Sequence, residues 1–289
     1  MPHSPQESAA PQRIAKVLAR AGLCSRRDAE RWITEGRVSV NGEVLTSPAF
    51  NVTEASEIRV DGMPLPEPER ARLWRYHKPA GLVTTHRDEK GRATVFAALP
   101  KELPRLISIG RLDLNSEGLL LLTNDGALAR RLELPATGWI RRYKVRVHGL
   151  VDEARLAALE KGITIDGIAY GAIRAQLERQ QGSNAWVALA LREGRNREVR
   201  KVLEHLGYPV TRLIRLSYGP FQLGHLARGA IEEVQKSVLA DQLGSGETAK
   251  SAGRNLAPSG SPGRPVKQYI LPKRAGARPS GGARPRRRT

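Results

Sequence analysis

At 289 residues, 40% apolar and 4% aromatic, the chain can build one large core or two smaller ones. Its 48 Lys and Arg against 29 Asp and Glu leave a net charge of +19, which points to a polyanionic partner, nucleic acid ahead of an anionic membrane surface. The single cysteine, Cys24, excludes an intramolecular disulfide and leaves a cysteine-based zinc site without ligands. No apolar run approaches the roughly 20 residues of a membrane span, and residues 1–10 lack the pattern of a signal peptide. The expectation is a soluble, cytoplasmic protein with a disordered start over residues 1–10.

The first predicted helix carries Ile14, Val17, Leu18 and Ala21 as one apolar stripe, with Arg13, Lys16 and Arg20 on the opposite side and Gly22 as its stop. Ser25 followed by Asp28 is a capping box for a second helix that buries Ala29, Trp32 and Ile33 and ends at Gly36. Arg26, Arg27 and Arg31 extend the basic surface, while Cys24 reads as a packed small residue. Val38–Val40 then meets Asn41-Gly42, a strong hairpin signal, and Ile58–Val60 meets Asp61-Gly62. Between Arg13 and Arg37 there are seven cations against three acids. Two short cationic helices followed by a compact sheet make an αL-type RNA-binding module over 11–63. Pro64, Pro66 and Pro68 alternate through the next stretch, so 64–70 is predicted to be an extended linker.

From 71 to 243 the pattern is one of strands with a few helices, the signature of an α+β domain with a mainly antiparallel sheet. Leu106–Ile109, Leu119–Thr123, Tyr143–His148 and Trp186–Leu191 read as strands, and Asp166-Gly167 as a turn. Asp152 caps a helix carrying Leu156 and Leu159. Val199, Val202, Leu203 and Leu206 mark another, stopped by Gly207. After it, residues 244–289 hold 11 basic residues, one acid, 8 Gly and 6 Pro, so they are predicted to be a disordered basic tail that gathers phosphate contacts.

The chain has no nucleotide-binding glycine loop, no zinc-protease helix and no nucleophile elbow, and its six His show no metal-ligand spacing. This argues against a cofactor or metal. The segment that stands out is GRLDLNSEGLLLLTNDG, Gly110 to Gly126. It places Asp113 in a tight loop between two predicted core strands, beside Arg111. By residue pattern alone, Asp113 fits a turn or cap as well as a catalytic carboxylate.

This segment resembles the catalytic signature of the RsuA/RluB family of RNA pseudouridine synthases. Lys78–Gly81, Gly91–Phe96 with Leu99-Pro100, Arg142–Val145, Glu193–Arg200, and Leu213–Arg215 with Gly219 are similar to the family's other motifs in the same order. The RIAKVLARAGLCSRRDAERWITEGRVSVNG stretch resembles an S4-like RNA-binding domain. The NREVR form and the basic tail are most similar to the RluB subgroup, which modifies large-subunit ribosomal RNA.

The resemblance implies site-specific conversion of uridine to pseudouridine in ribosomal RNA by base flipping, with no cofactor. It implies Asp113 as the nucleophile, Arg200 as the opposing charge that keeps it ionised, and Tyr143 as the ring stacked on the uracil. Arg195 and Arg197 are the alternatives to Arg200, or phosphate holders. Arg111 would engage the gap left by the extruded base. Arg13, Lys16, Arg20, Arg26, Arg27 and Arg31 would grip the RNA. The expected partner is ribosomal RNA or a large-subunit precursor, with no membrane, and the expected state is a monomer. The competing reading is a non-catalytic RNA-binding assembly factor that retains the fold. A tRNA synthetase fragment is set aside because no adenylate-binding motif is present.

Overall fold

The computed structural model describes residues 10–244 and 268–269. The predicted disordered start and basic tail therefore lie outside the described residues, apart from three short pieces. Ala10 precedes the first strand, Gly244 ends the helix Lys236–Gly244, and Gln268–Tyr269 pair with Ile231 and Glu232 at the sheet edge.

Helices Ile14–Arg20 and Arg26–Thr34 pack on a four-stranded sheet ordered Glu43–Val44, Val38–Val40, Ile58–Val60, Met63–Pro64. The capping box is present: the Ser25 side chain accepts the Asp28 N–H, and the Asp28 carboxylate takes the Ser25 N–H. Asn41 and Asp61 both stand at φ +51°, each followed by a glycine at positive φ, so the sequence signals for tight hairpins correspond to real left-handed turns. Ile14, Leu18, Ala29, Ile33, Val38 and Cys24 fill this small core. Trp32 packs partly buried against it, with the Arg37 guanidinium 4.8 Å from its ring centre. Residues 65–72 connect to the next unit without helix or strand.

That unit is built on a ten-stranded sheet among the described residues. Its main path runs Ile173–Gln181, Asn184–Leu191, Arg141–His148, Val210–Tyr218, Ser116–Thr123, Leu73–Lys78, Ile231–Glu233 and Gln268–Tyr269. Neighbours on this path are antiparallel except at the centre, where Leu213–Arg215 run parallel to Ser116–Gly118. Along the same edge, Thr123–Leu121 pair with Ile107–Ile109. The strand Ser116–Thr123 is buried at every position because packed layers cover both its faces, which is why Leu119–Leu122 form an unbroken apolar run. In the other half, Arg141–His148 and Asn184–Leu191 alternate, burying Tyr143, Val145, Val147, Ala185, Val187, Leu189 and Leu191 beneath helices Glu153–Ala158 and Glu198–His205. The predicted α+β domain with a mainly antiparallel sheet is what forms. Leu159 falls in a 3-10 turn that prolongs its helix.

Gly118 is required where the two halves meet. It sits at φ +103°, and a Cβ there would lie 2.3 Å from the Arg215 carbonyl oxygen and 2.7 Å from its nitrogen. Only glycine permits this approach of the two backbones.

Candidate active site

A cleft of about 760 Å³ opens where the parallel pair meets. Residues 110–114 form one wall, residues 194–200 another, and Tyr143 and Arg215, paired across adjacent strands, lie at its base. Asp113 stands on the first wall with about one third of its side chain exposed.

A loop packed against the core must satisfy its backbone internally. Each carbonyl from Leu112 to Ser116 has a donor. The Thr84 hydroxyl donates to Leu112 O at 2.8 Å and accepts the Leu112 N–H. Ser116 N–H bonds Asp113 O at 3.0 Å, and Gly81 N–H bonds Leu114 O at 2.8 Å. Arg200 Nη2 bonds Asn115 O at 3.0 Å. The ammonium of Lys78, fully buried, bonds the carbonyls of Ser116 (2.8 Å), Asp113 (3.1 Å) and Leu114 (3.3 Å), together with its neighbour Pro79. The Glu133 carboxylate accepts the Gly110 N–H at 2.5 Å. Asp113 is therefore presented by a rigid loop.

Lys78, unremarked in the sequence beyond its motif, is thus the central support. Trp74, Tyr76 and Lys78 alternate inward along Leu73–Lys78, and a lysine at a core-facing position of a strand is the signal that reveals it. Burial pulls its amine down to about 8, opposed by the charges of Asp113 and Glu117.

The structure corrects the expected partner of Asp113. Arg200 makes no ion pair with it. The Arg200 guanidinium, 7% exposed, is spent on Asn115 O and, at 3.3 Å, on Val210 O, and its buried Nε has no hydrogen-bond partner. Burial, with the charge of Arg197, holds its pKa below the ordinary value, against the opposing pull of Asp113. The cation beside the carboxylate is Arg197, whose Nη1 lies 3.7 Å from Asp113 Oδ2. Arg200 occupies the inward side of helix Glu198–His205, where the loop's backbone oxygens are its nearest acceptors.

The other expected residues separate into two groups. Tyr143 is buried with one edge on the cleft, and Arg111 and Arg195 are exposed along it, Arg195 paired with Glu193 at 2.9 Å. Arg13, Lys16, Arg26, Arg27 and Arg31 are exposed on the first unit, Arg31 within 3.4 Å of Asp28 and 3.6 Å of Glu35. Arg20 departs from this set. Its Nε pairs with Asp125 Oδ2 at 2.9 Å, while Asp125 Oδ1 caps helix Gly126–Glu133 through the Ala127 and Leu128 N–H groups. Arg20 thus fastens the first unit to the end of the 110–126 segment. Two further residues carry the cleft without sequence warning. Arg141 donates to the carbonyls of Arg192 and Glu193 and to the Tyr218 hydroxyl, and Arg215, 3% exposed, donates from Nε to Leu119 O at 2.8 Å.

Comparison with known proteins agrees with this architecture. The RNA pseudouridylate synthase family model matches residues 72–205, and the S4 domain model matches residues 12–58. An uncharacterized RNA pseudouridine synthase of Rickettsia felis is 49% identical over 228 residues, 79% of this chain and 99% of that protein. The ribosomal large subunit pseudouridine synthase B of Haemophilus influenzae is 44% identical over 238 residues, covering 80% of this chain and 67% of that protein. A crystal structure of a pseudouridylate synthase is 28% identical with a TM-score of 0.55, covering 78% of this chain and 97% of the other. With two motif-bearing units in the same order and half of its residues shared with a relative of matching length, the chain belongs to the RsuA/RluB family of RNA pseudouridine synthases, in which an S4 domain precedes the synthase domain.

Proposed function

We propose that this protein isomerises one or a few uridines of large-subunit ribosomal RNA to pseudouridine, acting as a monomer in the cytoplasm with Asp113 as nucleophile. The observation that carries this reading is the Asp113 carboxylate, opening into the cleft beside Arg197 from a loop whose every carbonyl is held. The name of the Haemophilus relative supports the choice of large-subunit RNA.

The reaction breaks the bond from N1 of uracil to the ribose C1′ and forms one from C5 to C1′. The C5 proton leaves and N1 gains a proton, so the balance needs no redox or energy cofactor. Asp113 attacks either C6 of the base or C1′, and the detached base turns before rejoining. Arg197 offsets the negative charge of the nucleophile. Tyr143 stacks on the extruded uracil, with its hydroxyl near the proton that leaves. Extrusion from folded RNA costs a few kcal/mol, offset by phosphate contacts from the exposed cations of 11–63 and the tail, 244–289. Residues 64–70 serve as linker and 71–243 as the synthase domain. Arg200 acts through the loop rather than on the carboxylate.

The test is a pseudouridine map of ribosomal RNA from a strain lacking this protein, complemented by the parent or by Asp113→Asn. The proposal expects a large-subunit pseudouridine that vanishes on deletion and returns only with the parent. An unchanged map would support the non-catalytic assembly factor instead.

A further inference from the structure

The sheet carries a second feature that the cleft does not use. Opposite the buried face of Arg141–His148 and Asn184–Leu191, the side chains point outward, and no helix of the described residues packs against Arg146 or Trp186 there. Across four strands, cross-strand pairing lines up Arg179, Trp186, Arg146 and Arg212 in one row. At roughly 4.8 Å between strands the row spans about 15 Å. Arg179, Arg146 and Arg212 are exposed and Trp186 is partly buried.

The row does not serve the fold. Like charges placed directly opposite one another, as Arg146 and Arg212 are, destabilise a sheet. Arg212 has an acidic partner, Glu117, at 3.0 Å. Arg146 and Arg179 have no acidic partner among the described residues. Next to Arg146 lies a recess of about 380 Å³ lined by Arg146, Gln181, Asn184 and Trp186. It offers an aromatic face, two amides and a guanidinium. Lys144 adds a further cation, its Nζ 5.4 Å from the Trp186 ring centre and 2.7 Å from Glu178.

We propose that this row is a second RNA-binding surface, on the opposite face of the sheet from Tyr143, which takes an unpaired segment with one base stacked in the Trp186 recess and its phosphates on Arg146 and Arg179. Cations interleaved with an aromatic ring are what an unpaired strand requires: the ring accepts any base, and the guanidiniums follow the backbone. The amides of Gln181 and Asn184 suit the edge of a nucleobase. The proposal rests on the reading of RNA as substrate, but not on catalysis.

The test measures binding of the full chain to a transcript of large-subunit ribosomal RNA and to an unstructured single-stranded RNA, across a salt series. Arg146→Gln with Arg179→Gln should flatten the plot of log affinity against log salt by about two, close to one for each phosphate lost. Trp186→Ala should weaken binding to both RNAs on the order of tenfold, and Trp186→Phe should restore it. Turnover at saturating RNA and the thermal midpoint of the arginine variant should match the parent. Parental affinity and salt slope in the arginine variant overturn the proposal, as does parental affinity in folded Trp186→Ala. A parent that binds but never forms pseudouridine refutes the catalytic reading while leaving this surface intact.

Discussion

Arg197 places its guanidinium 3.7 Å from the Asp113 carboxylate from a backbone at φ +54°, ψ +26°. The other non-glycine residues at positive φ are Asn41, Asp61 and Asp166, each before a glycine in a hairpin turn, where short polar side chains tolerate this conformation. Arg197 has no such excuse, and its conformation costs on the order of 1–2 kcal/mol. The turn is held by Glu198, whose Oε2 accepts the Arg195 N–H at 2.9 Å. Strain retained in a cleft marks a constraint other than stability.

Arg197→Gly should therefore keep the thermal midpoint or raise it by a few degrees while slowing pseudouridine formation on the order of tenfold or more. Arg200→Ala should instead lose stability together with activity, because the Asn115 and Val210 carbonyls each lose a donor. Thermal denaturation beside single-turnover kinetics separates the two. A destabilised but fully active Arg197→Gly would show that the residue serves the helix end and not the nucleophile.

The Lys78 amine is pulled from its ordinary 10.5 to about 8 by burial. Its folded pKa lies below its unfolded one, so between these values the unfolded chain binds more protons and this group's contribution to stability rises with pH. Function runs the other way. A neutral amine has two N–H groups for four carbonyls, so turnover should fall as pH rises through about 8. A single-turnover rate that stays flat from about pH 7 to about pH 9.5 would refute this role.

Gly118→Ala should be strongly destabilising. The added methyl would meet the Arg215 backbone at 2.3 Å, and the residue would still be at φ +103°. A loss of at least about 3 kcal/mol is expected, which lowers the thermal midpoint by roughly 6–12 °C for a domain of this size. A parental midpoint by calorimetry would mean that the two strands separate at little cost.

Deleting residues 245–289 removes 11 cations and one acid, a change of ten charges. RNA affinity should weaken and its salt dependence become shallower, while turnover at saturating RNA survives, since Asp113, Tyr143, Arg197 and Arg200 all precede the cut. Titrating affinity against salt for the intact and shortened chains checks this. An identical slope would mean that the tail neutralises no phosphate.

What the sequence revealed were features fixed locally. Asn41-Gly42, Asp61-Gly62 and Asp166-Gly167 specify their turns through backbone preference alone, and Ser25 with Asp28 caps a helix within four residues. The loop position of Asp113 followed from the apolar runs on either side. Features set by distant contacts stayed hidden. Nothing near Arg197 announces its left-handed backbone, because the buried Glu198 and the rest of the cleft wall impose it. Arg200 matches its motif, yet its hydrogen bonds depend on where residues 115 and 210 fall in space. Arg20 reads as one more cation of a basic helix until the second unit supplies Asp125.

The central claim is that the Asp113 carboxylate is the nucleophile. Asp113→Asn preserves the shape of the side chain and removes its charge, and every hydrogen bond to the carbonyls of residues 112–116 comes from other residues. The direct measurement is pseudouridine formed in a large-subunit ribosomal RNA transcript at saturating enzyme, with RNA affinity and thermal midpoint determined on the same samples. The account predicts no detectable product with affinity and midpoint close to the parent's. Product formed at a rate near the parent's by the folded, RNA-bound variant would contradict it.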